Sequence, residues 1–139
     1  MIKDVYKREF REIDLEKIRV REEDTERDLE AFKHCLSFSF FDGEQIVCIM
    51  GIVKINDQTC EVFTVFDECA TQYRRQILEY TRGFLAYLNT CFVRIQAVVR
   101  SDWPRSRRWV ERLGFVCEGV MRSFGPDGKD YCMYARVKK

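Results

Sequence analysis

The sequence predicts an α/β (α+β) fold centred on a mixed, mostly antiparallel sheet of about seven strands, flanked by helices. Three observations carry that expectation. Residues 92–120, FVRIQAVVRSDWPRSRRWVERLGFVCEGV, change hydrophobic period twice, from strand to helix and back to strand. Residues 37–66 hold three β-rich runs separated by Asp42-Gly43 and Asn56-Asp57, the punctuation of an antiparallel meander. Between them, residues 71–88 carry one long amphipathic stripe.

In chain order, Ile2–Tyr6 reads as a short, charged first strand. Phe10, Ile13, Ile18 and Val20 are loosely periodic and suggest a helix over Glu9–Val20. A second helix is expected over Glu22–Leu36, because Glu22, Glu23 and Asp24 suit a helix N-terminus and Leu29, Phe32 and Leu36 form a stripe. Ser37–Phe41 and Gln45–Ile55 then pair as a hairpin, with Gly51 read as a bulge, and Cys60–Phe66 alternates as the next strand. Thr71 is placed as the cap of a helix running to Leu88, which buries Ile77, Leu78, Phe84, Leu85 and Leu88. Phe92–Val99 follows as a strand. Ser101 and Asp102 cap the next helix and Pro104 sits in its first turn, where a missing N–H costs nothing. That helix turns Trp109, Val110 and Leu113 inward and Arg105, Arg108 and Arg112 outward. Gly114 ends it in a left-handed conformation, and Phe115–Val120 opens a strand. Gly125-Pro126-Asp127-Gly128 turns the chain into a last strand, Tyr131–Val137. The expected core contains Leu78, Leu85, Val98, Trp109, Leu113, Phe115 and Tyr134, with the two long helices on opposite faces or ends of the sheet.

At 139 residues, 46% of them hydrophobic, the chain is read as one domain, 1–139, able to bury a single core. It has no apolar run as long as a membrane span and no signal-peptide pattern, so it reads as a soluble cytoplasmic protein. Seven cysteines, odd in number and with no C-x-x-C pair, read as free thiols in a reducing compartment. The only histidine, His34, reads as structural, because no Cys, Asp or Ser near it in sequence completes a triad. Residues 94–139 carry eleven Lys/Arg against five Asp/Glu, whereas residues 1–34 carry nine against eleven. A basic C-terminal third suits a phosphate-bearing cofactor, a nucleic acid or an acidic partner.

The run ERLGF followed by VCEGVMR resembles the C-terminal motif of the GNAT (Gcn5-related) N-acetyltransferase superfamily, with Ser106, Val110, Leu113, Gly114, Phe115, Glu118 and Gly119 on its positions. The length and the tail RSFGPDGKDYCMYARV are most similar to short GNAT-like proteins of bacteriophages, which would place the chain in a host cytoplasm. The resemblance implies acetyl-CoA as donor, bound in a V-shaped opening between the fourth and fifth strands. It places the pantetheine arm on fourth-strand backbone, at Val65, Phe66 and Asp67, and the pyrophosphate on the next helix N-terminus, beside Arg74 and Arg75. It aligns Glu61 with a strand glutamate that serves several members as general base, and Trp103 and Ser106 with the Asn-x-x-Ala at the head of the motif helix. Where the family has a Gln/Arg-x-x-Gly-x-Gly/Ala phosphate loop, this chain reads Asp67-Glu68-Cys69-Ala70-Thr71-Gln72-Tyr73-Arg74-Arg75, without glycine. Where the family has a proton-donating tyrosine, it has Val110.

Three functions follow as expectations. The first is acetyl transfer from acetyl-CoA to a small-molecule or protein amine. The second is a non-catalytic GNAT-fold structural or interaction protein with a protein partner. The third is nucleic-acid association through Arg105, Arg107, Arg108, Trp103 and Trp109. Exchanging Asp67 and Glu68 for glycine is expected to tighten CoA binding by freeing backbone N–H groups.

Overall fold

A computed structural model of the protein describes residues 5–20 and 29–138. Its elements run β1 (Tyr6–Glu9), α1 (Asp14–Lys17), a 3₁₀ helix (Leu29–His34), β2 (Leu36–Asp42), β3 (Gln45–Asn56), β4 (Thr59–Phe66) and a second 3₁₀ helix (Ala70–Tyr73). They continue with α2 (Arg74–Cys91), β5 (Arg94–Arg100), α3 (Pro104–Arg112), β6 (Val116–Met121) and β7 (Tyr131–Val137). The strands form one seven-stranded sheet in the order β1-β2-β3-β4-β5-β7-β6. β4 and β5 pair in parallel, whereas β1–β2, β2–β3, β5–β7 and β6–β7 are antiparallel. No helix among the described residues is long and apolar enough to cross a membrane.

The first third of the chain departs most from its sequence pattern. Residues 2–4 of the expected first strand and 21–28 of the expected second helix lie outside the described residues. β1 is displaced to Tyr6–Glu9, where it pairs with Phe38–Phe41 as a charged edge strand. The expected helix over Glu9–Val20 contracts to the single turn of α1. The cause is Asp14, which is fully buried and accepts hydrogen bonds from the Arg8 guanidinium, the Arg11 N–H and the Ser39 hydroxyl. The buried carboxylate fixes the turn, while Phe10, Leu15, Ile18 and Val20 of the same segment pack into the core. Leu36, assigned to the second helix, instead opens β2 and is exposed.

The chain divides into two compact units, Met1–Val53 with Phe63–Tyr80, and Lys54–Val62 with Thr81–Lys139. The core of the first gathers Ile18, Phe32, Phe41, Ile46, Ile49 and Val65, with Phe10, Leu15, Val20, Leu29 and Phe63 packed against it. The β2–β3 hairpin turns through Gly43 at φ 60°. Its bulge falls at Phe40/Phe41 and not at Gly51, which pairs regularly with Ser37. Gly51 has a different reason: a Cβ there would lie 2.5 Å from the Phe63 ring. Gly51→Ala is expected to cost about 1–3 kcal/mol, as overpacking does. Chemical denaturation checks this, and an unchanged midpoint would mean that the ring moves aside freely.

In the second unit the alternation of β5 decides what is core. Ile95, Ala97 and Val99 are buried, and Ala97 and Val99 pair with buried Tyr134 and Cys132 of β7. The Tyr134 hydroxyl donates to Glu111 Oε2 (2.7 Å) and accepts from Arg107 Nε (3.1 Å), so α3 lies over this face. Leu85, Leu113, Phe115 and Tyr134 are buried as expected. Val98 is half-buried because it belongs to the other face of β5, and Trp109 is half-buried because Val110 takes the innermost position of α3. Leu78 is likewise half-buried, since the inward stripe of α2 runs Ile77, Thr81, Leu85, Leu88. Leu113 retains only 5% exposure, so Leu113→Ala is expected to cost about 2–5 kcal/mol in equilibrium unfolding. A loss below about 1 kcal/mol would place it outside the core.

The caps differ from expectation. Thr71 lies inside the 3₁₀ turn preceding α2, and α3 has no side-chain cap. The Ser101 hydroxyl donates instead to the Asp130 carbonyl, and Asp102 pairs with Arg100. Gly114 closes α3 at φ 91°, with Phe115 N–H bonded to Val110 O and Gly114 N–H to Glu111 O, the double bond of a Schellman end. Arg82 Nη2 donates to the Arg112 carbonyl (3.4 Å), so the middle of α2 sits beside the end of α3, not across the sheet from it.

Candidate active site

The parallel ladder of β4 and β5 is three residue pairs long, ending at Glu61↔Gln96. Side chains alternate along a strand, so Arg94 and Gln96 share the face of β5 that α3 leaves open, and Glu61 shares it across the ladder. There they join in one polar line. Gln96 Nε2 donates to Glu61 Oε1 (2.9 Å), and Arg94 Nε donates to Gln96 Oε1 (3.0 Å). Both terminal nitrogens of Arg94 grip Glu118 of β6, at 2.9 and 2.7 Å. The Glu118 hydrogen bond raises the Arg94 guanidinium above its ordinary value, and the same bond holds Glu118 below the usual carboxylate range. Because Arg94 occupies the amide oxygen of Gln96, its NH₂ group must face Glu61. Glu61 is therefore half-buried with one oxygen pinned, and Oε2 has no partner among the described residues. Such a carboxylate is positioned to accept a proton.

The other residues singled out in the sequence fall into two groups. Val65, Phe66, Asp67, Arg74 and Arg75 belong to the first unit, and Glu61, Trp103 and Ser106 to the second. Val65 is fully buried in the core and Phe66 is half-buried. Trp103 is half-buried at the start of α3, with the Arg100 guanidinium 4.8 Å from its ring centroid. Ser106 is half-buried in the first turn of that helix. Arg105 and Arg108 are exposed, but Arg107 is tied to Tyr134 and to the Ser101 carbonyl, which removes it from a basic patch. Val110 is buried and carries no proton. Burial raises the Tyr134 phenol, whose proton is committed to Glu111.

Asp67 is the largest correction. It is fully buried, and its carboxylate accepts the Arg19 N–H (2.7 Å), Arg19 Nη2 (2.9 Å) and the Cys69 N–H (2.9 Å). Burial pushes this carboxyl up, but the Arg19 and Cys69 hydrogen bonds outweigh it and hold it below the ordinary value. Glu68 is exposed and pairs with the same guanidinium at 3.0 Å. Asp67 is thus a structural anchor, and replacing it with glycine would release Arg19 and the 3₁₀ turn rather than create a phosphate loop. Tyr73 secures the same turn by donating to Asp42 (2.8 Å), a bond that drives its phenol up to about 12. Burial lifts the Cys69 thiol to about 11 and the Cys60 thiol to about 11, so neither is a thiolate near neutral pH. Arg74 is exposed and without a partner among the described residues, and Arg75 meets Glu79 at 3.5 Å.

No protein-family model and no curated protein sequence matches the chain. Solved structures do. An acetyltransferase (GNAT family) from Bacillus anthracis aligns with a TM-score of 0.76 and 18% identity over 98% of this chain and 96% of the other. Ard1 from Thermoplasma volcanium aligns at 0.73 and 16% over 97% and 98%. The chain has the GNAT fold. The microcin C7 self-immunity acetyltransferase MccE, solved with acetyl-CoA and AMP, aligns at 0.63 and 14% over 78% of this chain and 64% of its own.

Acetyl-CoA is the donor this fold implies, and the head of α2 tests its diphosphate end. The N–H of Asp67 is bonded to Val47 O, that of Glu68 to Arg19 O and that of Cys69 to the Asp67 carboxylate. Those of Ala70 and Gln72 go to Asp67 O and Cys69 O. These donors are spent inside the protein, and no glycine lets the backbone turn them outward. A diphosphate does not fit this helix head in the family's manner. Arg94, Gln96 and Arg19 were not singled out in the sequence; the available signal was the alternation of Arg94-Ile95-Gln96, which puts two polar side chains on one face.

Proposed function

We propose that the chain is an N-acyltransferase, moving an acyl group, acetyl in the simplest case, from a thioester to an amine. One observation carries this reading: Glu61 is held half-buried by Gln96 at the last rung of the β4–β5 ladder, with its second oxygen open. In the reaction, Glu61 takes the amine proton, directly or through one water. The amine nitrogen attacks the thioester carbonyl, the C–N bond forms and the C–S bond breaks. Val110 occupies the position of the family's proton donor, so the departing thiolate is protonated from solvent. Acetyl-CoA remains the first donor to try, and the acceptor is a small-molecule or protein amine.

The test is amine-dependent release of thiol from acetyl-CoA and shorter acetyl thioesters, across monoamines, polyamines and peptide N-termini. Release that requires an amine supports transfer. A second reading, a non-catalytic GNAT-fold interaction protein such as a component of a phage particle, draws on the filled helix head and on buried Val110. It stands if every thioester remains intact with every amine class.

A further inference from the structure

We propose that the acyl donor is recognised by its acyl-pantetheine end alone, so that thioesters without a nucleotide diphosphate serve as well as acetyl-CoA. This rests on the acyltransfer reading. A different observation supports it: at the turn that leads into α2, the chain's own Asp67 carboxylate already takes the Cys69 N–H. That group is fully buried, sits 2.9 Å from the Cys69 N–H, and is held from behind by Arg19. The exclusion has two physical parts.

The first is the hydrogen-bond inventory. Five N–H groups between Asp67 and Gln72 are committed to Val47 O, Arg19 O, the Asp67 carboxylate, Asp67 O and Cys69 O. A diphosphate binding through any of these five would first have to break the bond that group already makes. The second is charge. Arg19 is shared by Asp67 and Glu68, which leaves a net negative group beside the turn. Among the described residues at the head of α2, Arg74 and Arg75 offer compensation; both are exposed, and Arg75 already meets Glu79. An exposed ion pair changes affinity by no more than about fivefold. A glycine-lined cradle would concentrate several charge-assisted bonds on the same group. The diphosphate and the nucleotide behind it therefore add little to recognition. The donor class is an acyl thioester of pantetheine length or shorter.

The experiment compares acetyl-CoA with S-acetylpantetheine at a fixed amine, and measures CoA and pantetheine binding by calorimetry. The two donors are expected to agree in kcat/KM within about tenfold, and the two thiols to agree in affinity within about tenfold. Arg74→Ala with Arg75→Ala is expected to change CoA affinity by less than about tenfold as well. A preference for acetyl-CoA or CoA beyond tenfold overturns the inference and leaves the acyltransfer reading intact, because turnover would still be seen. Turnover of neither donor with any amine overturns both. Binding of CoA with no detectable binding of pantetheine also overturns the inference, and is readable even in a variant without turnover.

Discussion

Glu61→Gln is expected to lower turnover about 10²–10⁴-fold at neutral pH, the usual worth of a general base, with little change in donor affinity. The substitution is a narrow one. Glutamine has the size of glutamate, and its side-chain carbonyl can still accept the Gln96 Nε2–H that now holds Oε1. The line through Gln96, Arg94 and Glu118 is then preserved, and only proton affinity at the open oxygen is lost. A fall in kcat with an unchanged donor KM would show that Glu61 acts in the chemical step. Unchanged turnover would mean that the amine loses its proton elsewhere and that the ladder end is merely a polar surface.

The largest expected effect on stability comes from Asp67. Asp67→Ala strips a fully buried acceptor from the N–H groups of Arg19 and Cys69 and from the Arg19 guanidinium. Each backbone N–H left without its acceptor costs about 1–3 kcal/mol, so the two together are expected to cost about 2–6 kcal/mol, or roughly 10–20 °C in Tm. The acid limb follows from the same group. Asp67 and Asp14 both have carboxyls held below their ordinary value in the fold, in each case because hydrogen bonds overcome the upward push of burial. Their contribution is therefore complete above the unfolded carboxyl range, near pH 4, and is lost as pH falls through the lower folded values. Tm measured from pH 5 down to about pH 2 should drop steeply in the parent and less steeply in Asp67→Asn. Parallel acid limbs would show that the carboxylate is not what the turn depends on.

These two residues also mark what was legible in the sequence. Local pattern was enough for the second half of the chain. The β5 strand, the α3 helix and the Gly114 stop are each set by neighbours a few residues away and form close to where they were read, although Val98 and Trp109 are only half-buried and α3 lacks the expected side-chain cap. Asp67 and Glu61 are harder because their partners are distant. Arg19 lies 48 residues from Asp67, and Gln96 lies 35 residues from Glu61. Nothing local distinguishes an aspartate that faces solvent from one that organises a turn. The same holds for Asp14, whose bond to Ser39 crosses 25 residues and replaces a helix that the apolar spacing suggested. The motif at ERLGF reported the fold, since it packs a helix end against a strand; the chemistry proposed for Glu61 draws on residues outside it.

The most direct test of acyltransfer is to quantify free thiol and acylated amine together in one reaction, by thiol titration and mass spectrometry. Equal amounts of the two are expected in the parent protein, with both falling together in Glu61→Gln. Thiol appearing alongside free carboxylic acid and no acylated amine would make the chain a thioester hydrolase. No thiol at all, with a protein that is folded and has a normal Tm, would contradict catalysis altogether.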